Sequence, residues 1–279
     1  MLHRPTLVSL QGVGAAGALR LVGMCAPAEQ RLFSGADLRC RRGALGLPEQ
    51  DAAAVLQVPV AALRAWEAGI DPVVDLTAVI GRLAGVERVA DRITGELIAD
   101  AVKTGRIVTL RTDVAAAAAG AALGVAALHR VCAGRAWEEV PQAQLIFHEL
   151  DERAEGADAD RRAELMVRIT MLALTRADVK AYLGVERRRL MSWIRGDAAI
   201  PSGVFDDLEV LESVADFHTE MLEAAAGVTG RINVAATVDD LAATYPGAEQ
   251  VPLSTHWAAA GVLLADDNRL RARWISRCE

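Results

Sequence analysis

Three consecutive guanidinium groups, Arg187-Arg188-Arg189, form the most chemically committed run in this sequence. A guanidinium is planar and permanently charged. Its fork of N–H donors forms bidentate pairs with carboxylates, phosphates and the O6/N7 edge of guanine. Arg176, Ser192 and Arg195 lie close by in sequence and add two cations and a hydroxyl. The formal net charge of the chain is −7, so this cluster is a local exception. A generally basic, polyanion-coating protein is excluded, but one local anion-seeking patch is not. Arginine supplies 28 of the 30 basic residues, a bias that a GC-rich genome produces as readily as a need for guanidinium chemistry.

The other candidate groups promise less. His129 and His256 have no Cys, His or acid at metal-site spacing, which favours hydrogen-bonding structural roles over metal ligation. Cys25, Cys40, Cys132 and Cys278 form no CxxC pair, so a disulfide scaffold and a cysteine zinc site both read poorly and a reducing cytoplasm is expected. Gly12-Val-Gly-Ala-Ala-Gly17 follows the apolar Thr6–Leu10 as a dinucleotide-binding turn would. No second strand can be placed before Pro27, and the acidic Glu29 falls on a helix or loop. Asp239-Asp240 and Asp266-Asp267 suit helix starts or surface. No nucleophile elbow or phosphate loop occurs, so no enzymatic activity, cofactor or metal is expected. The apolar Thr6–Val22 is interrupted by Gln11 and Arg20, short of the ~18 apolar residues of a membrane span.

The elements that position these groups occur twice. A chain of 279 residues exceeds one typical domain of ~100–200. Shifting the sequence by 127 pairs Leu38 with Leu165, Arg41 with Arg168, Asp51 with Asp178, Leu63 with Leu190, Trp66 with Trp193 and Gly69 with Gly196. A shift of 125 pairs Glu87 with Glu212, Val89-Ala-Asp91 with Val214-Ala-Asp216, and Thr104-Gly-Arg-Ile107 with Thr229-Gly-Arg-Ile232. The 127 shift then returns, pairing Gly120 with Gly247, His129 with His256, and Ala133-Gly134 with Ala260-Gly261. An internal duplication is therefore expected. Residues 1–33 have no counterpart, 34–150 form the first unit, the charged 151–160 an exposed linker, and 161–279 the second unit.

Within the second unit, Leu165, Val167, Ile169 and Leu172 suit a first helix. Thr175 can N-cap a second, with Asp178 acidic near its start, and Ala181 and Leu183 are expected to face inward. Gly184 can take the positive φ of a tight turn, Val185 plugs it, and Glu186 can cap a third helix whose Leu190 and Trp193 turn inward. Gly196 ends that helix and Pro201 opens a later one. Helical segments at Glu87–Ala101 and Glu212–Ala226 follow in the two units, with short strands at Arg106–Leu110, Gln144–Phe147 and Arg231–Ala235. The fold class expected is mainly α, with two tandem helix-turn-helix units, each carrying a small helical or mixed α/β appendage that holds it against its twin.

The run Leu174-Thr-Arg-Ala-Asp-Val-Lys-Ala-Tyr-Leu-Gly-Val-Glu-Arg-Arg-Arg-Leu-Met-Ser-Trp-Ile-Arg-Gly196 resembles the Xre-type, phage-repressor-like helix-turn-helix family. Leu47–Gly69 fits the same frame without gaps, including its Trp66-Glu-Ala-Gly69 ending. The resemblance covers about 60 residues of each unit. It implies binding of double-stranded DNA, by symmetric dimers and often in repression. The start of the third helix would read bases and the start of the second would touch phosphate.

Under that resemblance the DNA-binding residues are Arg176, Arg187, Arg188, Arg189, Ser192 and Arg195, with Arg64 the only basic residue on the corresponding helix of the first unit. There Val60, Ala61 and Ala62 replace the three arginines, and Glu49 replaces Arg176. Valine and alanine can touch at most a thymine methyl, and Glu49 would repel phosphate. The first unit is therefore expected to keep the fold, read DNA poorly, and pack instead against the second unit, a second chain or another protein. The leading expectation is a cytoplasmic, sequence-specific transcriptional regulator in which one chain imitates a dimer, itself able to form homodimers. The rival is a protein-interaction module (an antitoxin, anti-activator or adaptor) that retains the helix-turn-helix fold.

Overall fold

In a computed structural model, residues 33–72, 75–148 and 158–275 are described. The Gly12–Gly17 run, Glu29, Cys25, Cys278 and linker residues 151–157 lie outside them. The described chain is mainly α-helical, with twelve α-helices and four strands of four residues. The first half runs α1 (Gly35–Ala44), α2 (Glu49–Leu56), α3 (Val60–Glu67), α4 (Leu76–Thr104), β1 (Arg106–Thr109), α5 (Asp113–Ala118), α6 (Ala126–Glu139) and β2 (Gln144–Phe147). The same succession follows as α7 (Ala159–Met171), α8 (Arg176–Leu183), α9 (Arg187–Arg195), α10 (Gly203–Thr229), β3 (Arg231–Val234), α11 (Val238–Thr244), α12 (Leu253–Asp266) and β4 (Arg271–Trp274). None of the described helices is long and apolar enough to cross a membrane.

Side-chain capping sets several helix starts. Ser34 and Asp37 cap α1 reciprocally, as Thr175 and Asp178 cap α8 and Thr237 and Asp240 cap α11, each pair satisfying two otherwise orphaned N–H groups. Some expected details shift. Ala159 and Asp160, expected in the linker, already belong to α7. Ala181 is exposed, because Val179 and Leu183, four residues apart, share the buried face of α8 and leave residue 181 on the opposite side. Glu186 makes no side-chain cap for α9; its carboxylate instead meets Lys180 Nζ at 2.9 Å. Pro201 precedes α10 by two residues, with its carbonyl accepting from Val204 N–H.

Each appendage is a β-α-α-β crossover closing a parallel strand pair. Ile107 pairs with Leu145 in one and Ile232 with Ala272 in the other. Alternate residues such as Ile107 and Thr109, or Ile232 and Val234, point into the core. β4 was not expected from sequence.

The first helix of each half packs on the appendage of the other. α1 lies along α12 and β4. There Ser34 Oγ donates to Ala272 O at 2.8 Å, Ala272 N–H donates to Asp37 Oδ1 at 3.0 Å, and Arg41 Nη2 donates to Leu264 O at 2.7 Å. Reciprocally α7 lies on α6 and β2, burying Ala163 and Val167 with Ala133 and Ala136. The matched Gly134 and Gly261 sit at these two crossings. A Cβ on Gly261 would stand 2.0 Å from Cys40 O, and one on Gly134 would stand 2.4 Å from the Met171 side chain. The matched pairs Arg41–Glu87 (2.7 Å) and Arg168–Glu212 (2.6 Å) tie each first helix to its own long helix, α4 or α10.

Candidate nucleic-acid interface

The α8–α9 corner is made by residues 184–186. Gly184 adopts φ 63°, a left-handed conformation that a Cβ disfavours, and this ends α8. Val185 is buried beneath the turn, and the chain re-enters helix at Arg187 after an extended Glu186. Leu190 and Trp193 then bury the inner face of α9. Burying them turns Arg187, Arg188 and Arg189 outward, and all three are exposed in the first turn of the helix.

That first turn contains no acid. Its N–H groups and the helix dipole already present positive charge, so three cations there oppose the dipole rather than complement it. No ion pair among the described residues involves them. The nearby carboxylates are engaged elsewhere: Glu186 with Lys180, Asp197 with Arg195 at 2.7 Å, and Asp178 with its own cap and with Ser254 Oγ at 2.9 Å. The first turn of α9 is thus a concentrated, unneutralised positive site.

Arg176 is exposed at the start of α8, Arg195 is exposed at the end of α9, and Ser192 is half-buried between. On α3 the expected contrast is visible. Ala61 is exposed, Val60 and Ala62 are half-buried, and Arg64 Nε is held by Glu49 Oε2 at 2.6 Å. Seven sequence-singled residues therefore fall into two groups: six on or beside α8–α9, and Arg64 on α3, with its charge matched.

The paired histidines differ from each other. His256 is fully buried; its Nε2 accepts from Ala235 N–H at 3.0 Å, which leaves the proton on Nδ1 for His218 Nε2 at 2.8 Å. Burial holds the pKa of His256 down at about 3 and that of His218 at about 4. His129 is also held down, at about 4, by burial first and then by Arg130 and His148. Its buried Nδ1 meets no hydrogen-bond partner beyond its own residue. Sequence reasoning missed His218, because position 93, which the repeat aligns with it, is isoleucine and the repeat carries no signal there. Compared with protein-family models, curated proteins and solved structures, this chain matches none of them.

Proposed function

We propose that the protein is a sequence-specific DNA-binding transcriptional regulator of the Xre type, built from two fused units, in which α9 reads the major groove. The observation that carries this reading is the outward set Arg187, Arg188 and Arg189 on the first turn of a helix with no acid to balance it. Such a helix end is stabilised when an external anion is supplied, and a phosphate or guanine edge fits the guanidinium fork. Arg176, at the start of α8, is suited to an adjoining phosphate.

The first unit supports a second role. With Arg64 tied to Glu49 and Ala61 exposed between the half-buried Val60 and Ala62, α3 suits an apolar protein contact better than a groove.

Selection of bound sequences from random DNA by the full-length chain, followed by retention measurements across salt, tests both readings. The groove-reading protein should lose affinity steeply as salt rises, with a log–log slope of about −0.9 per phosphate contact. The triple variant Arg187→Ala/Arg188→Ala/Arg189→Ala should lose specific binding with unchanged helicity. Retention unaffected by that variant, or no retention at low salt, would sink the assignment.

A further inference from the structure

The first half contains a pocket of about 350 Å³. It lies between α4, β1, the 119–122 segment and His129 of α6. Ile93, Leu97, Val108 and Leu110 supply apolar walls; Glu96 and Asp100 lie on one rim.

The second half shows what this space holds when the chain fills it. Tyr245 ends α11 where Ala119 ends α5, and His218 takes the place of Ile93. Tyr245, His218 and His256 pack with ring centroids 5.1–5.8 Å apart, and Tyr245 Oη donates to Asn233 O at 2.8 Å. His256 Nδ1, bonded to His218 there, corresponds to His129 Nδ1, which meets no partner beyond its own residue. The first half therefore has Ala119 and Ile93 where the second has two rings, beside a histidine that both halves carry.

We propose that this pocket binds a small aromatic amine, its ring on the apolar walls beside His129 and its ammonium at the Glu96–Asp100 rim. The volume lies within the ~300–1,000 Å³ range of small-molecule sites. A planar ring replaces the missing tyrosine and histidine in shape. The sign of the ligand charge is drawn from the lining, whose titratable side chains are Arg92, Glu96, Asp100, His129 and His148, and where Arg92 already pairs with Glu96 at 2.9 Å. Asp100 is met only by Lys103, at 3.9 Å and in solvent. His129 is neutral at pH 7, so it adds a hydrogen-bonding edge and no charge. The assignment is independent of what α9 binds.

Tryptamine is a suitable probe, titrated calorimetrically into the full chain, with indole-3-acetate as the anionic counterpart. Saturable tryptamine binding is expected, at least about ten-fold tighter than that of indole-3-acetate. Ala119→Tyr, which places a ring in the pocket at the end of α5, should weaken binding at least about ten-fold, and Asp100→Asn at the exposed rim about three-fold. The imidazole resonances of His129 should shift on titration. No saturable binding at millimolar tryptamine, or full binding by a folded Ala119→Tyr, overturns the proposal. If Ala119→Tyr does not fold, an undiminished Asp100→Asn affinity together with unmoved His129 resonances overturns it equally.

Discussion

The corner between α2 and α3 and the corner between α8 and α9 follow the same backbone path with different side chains. Both turn through a left-handed residue, Gln57 at φ 55° in one and Gly184 at φ 63° in the other, then a branched Val58 or Val185. Both bury a Leu and a Trp on the helix that follows: Leu63 and Trp66, or Leu190 and Trp193. The first turns of those helices differ completely: exposed Ala61 between half-buried Val60 and Ala62 in one, and three exposed arginines, Arg187-Arg188-Arg189, in the other. Inward residues are constrained by close packing, where each change of volume is felt. Outward residues contribute little to folding and are free to take up or lose a partner.

The inner faces also differ at one position. Glu67 is fully buried and is held by Arg42 at 2.6 Å and Arg39 at 3.4 Å, whereas position 194 is an apolar, partly buried Ile. Glu67→Ala strands two cations against a cavity and should cost about 3–5 kcal/mol in urea unfolding. Ile194→Ala should cost less than half as much, since it leaves no charge behind. Equal costs would mean that the ion cluster is solvated and the two faces are equivalent.

The crossing glycines sharpen the comparison further. Gly261→Ala pushes a methyl into backbone at Cys40 and should cost roughly 1–3 kcal/mol, measurable by the same unfolding experiment. Gly134→Ala meets side-chain atoms rather than backbone, Met171 Cγ and Sδ at 2.4 Å and Val167 Cγ1 at 3.2 Å, and should cost less. A reversed order would contradict the packing of α1 on α12.

Acid should weaken the fold through its buried histidines. Their folded pKa values, about 3 for His256 and about 4 for His218 and His129, lie below the ordinary value of 6.5. The unfolded chain therefore binds protons first as pH falls. Stability is complete above about pH 6.5 and declines from there towards pH 4 and below. Tm measured across this range should fall, and His256→Gln should flatten the decline more than His129→Gln. A Tm insensitive to either change would mean that neither ring is desolvated.

The smallest effect belongs to the corner itself. Gln57→Gly relieves a Cβ in the left-handed region but adds unfolded-chain entropy, so it should stabilise by less than about 1 kcal/mol. Gly184→Gln should destabilise by a similar amount, read as paired shifts in Tm.

Much of this architecture was legible beforehand. Thr175, Asp178 and Gly184 act through neighbours three to six residues away, and such local rules can be read from spacing alone. The outward arginines followed from Leu190 and Trp193, because one helix face cannot hold all five. Less legible was anything depending on distant partners. β4, Arg271–Trp274, alternates charged and apolar residues and becomes a strand only beside β3. The pocket at His129 was equally hidden, since it exists through what Ala119 and Ile93 fail to fill.

By itself, the order of amino acids determined the helices, the tight corners and which side of α9 carries charge, because these arise from torsions and contacts within a few residues. Only the tertiary structure decided that α1 belongs on α12 and α7 on α6, that Glu67 is sealed between arginines, and that one histidine is enclosed by rings while its counterpart borders a pocket. Those outcomes depend on surfaces separated by up to 238 residues along the chain, as in the Ser34–Ala272 bond, and short-range spacing carries no record of such meetings.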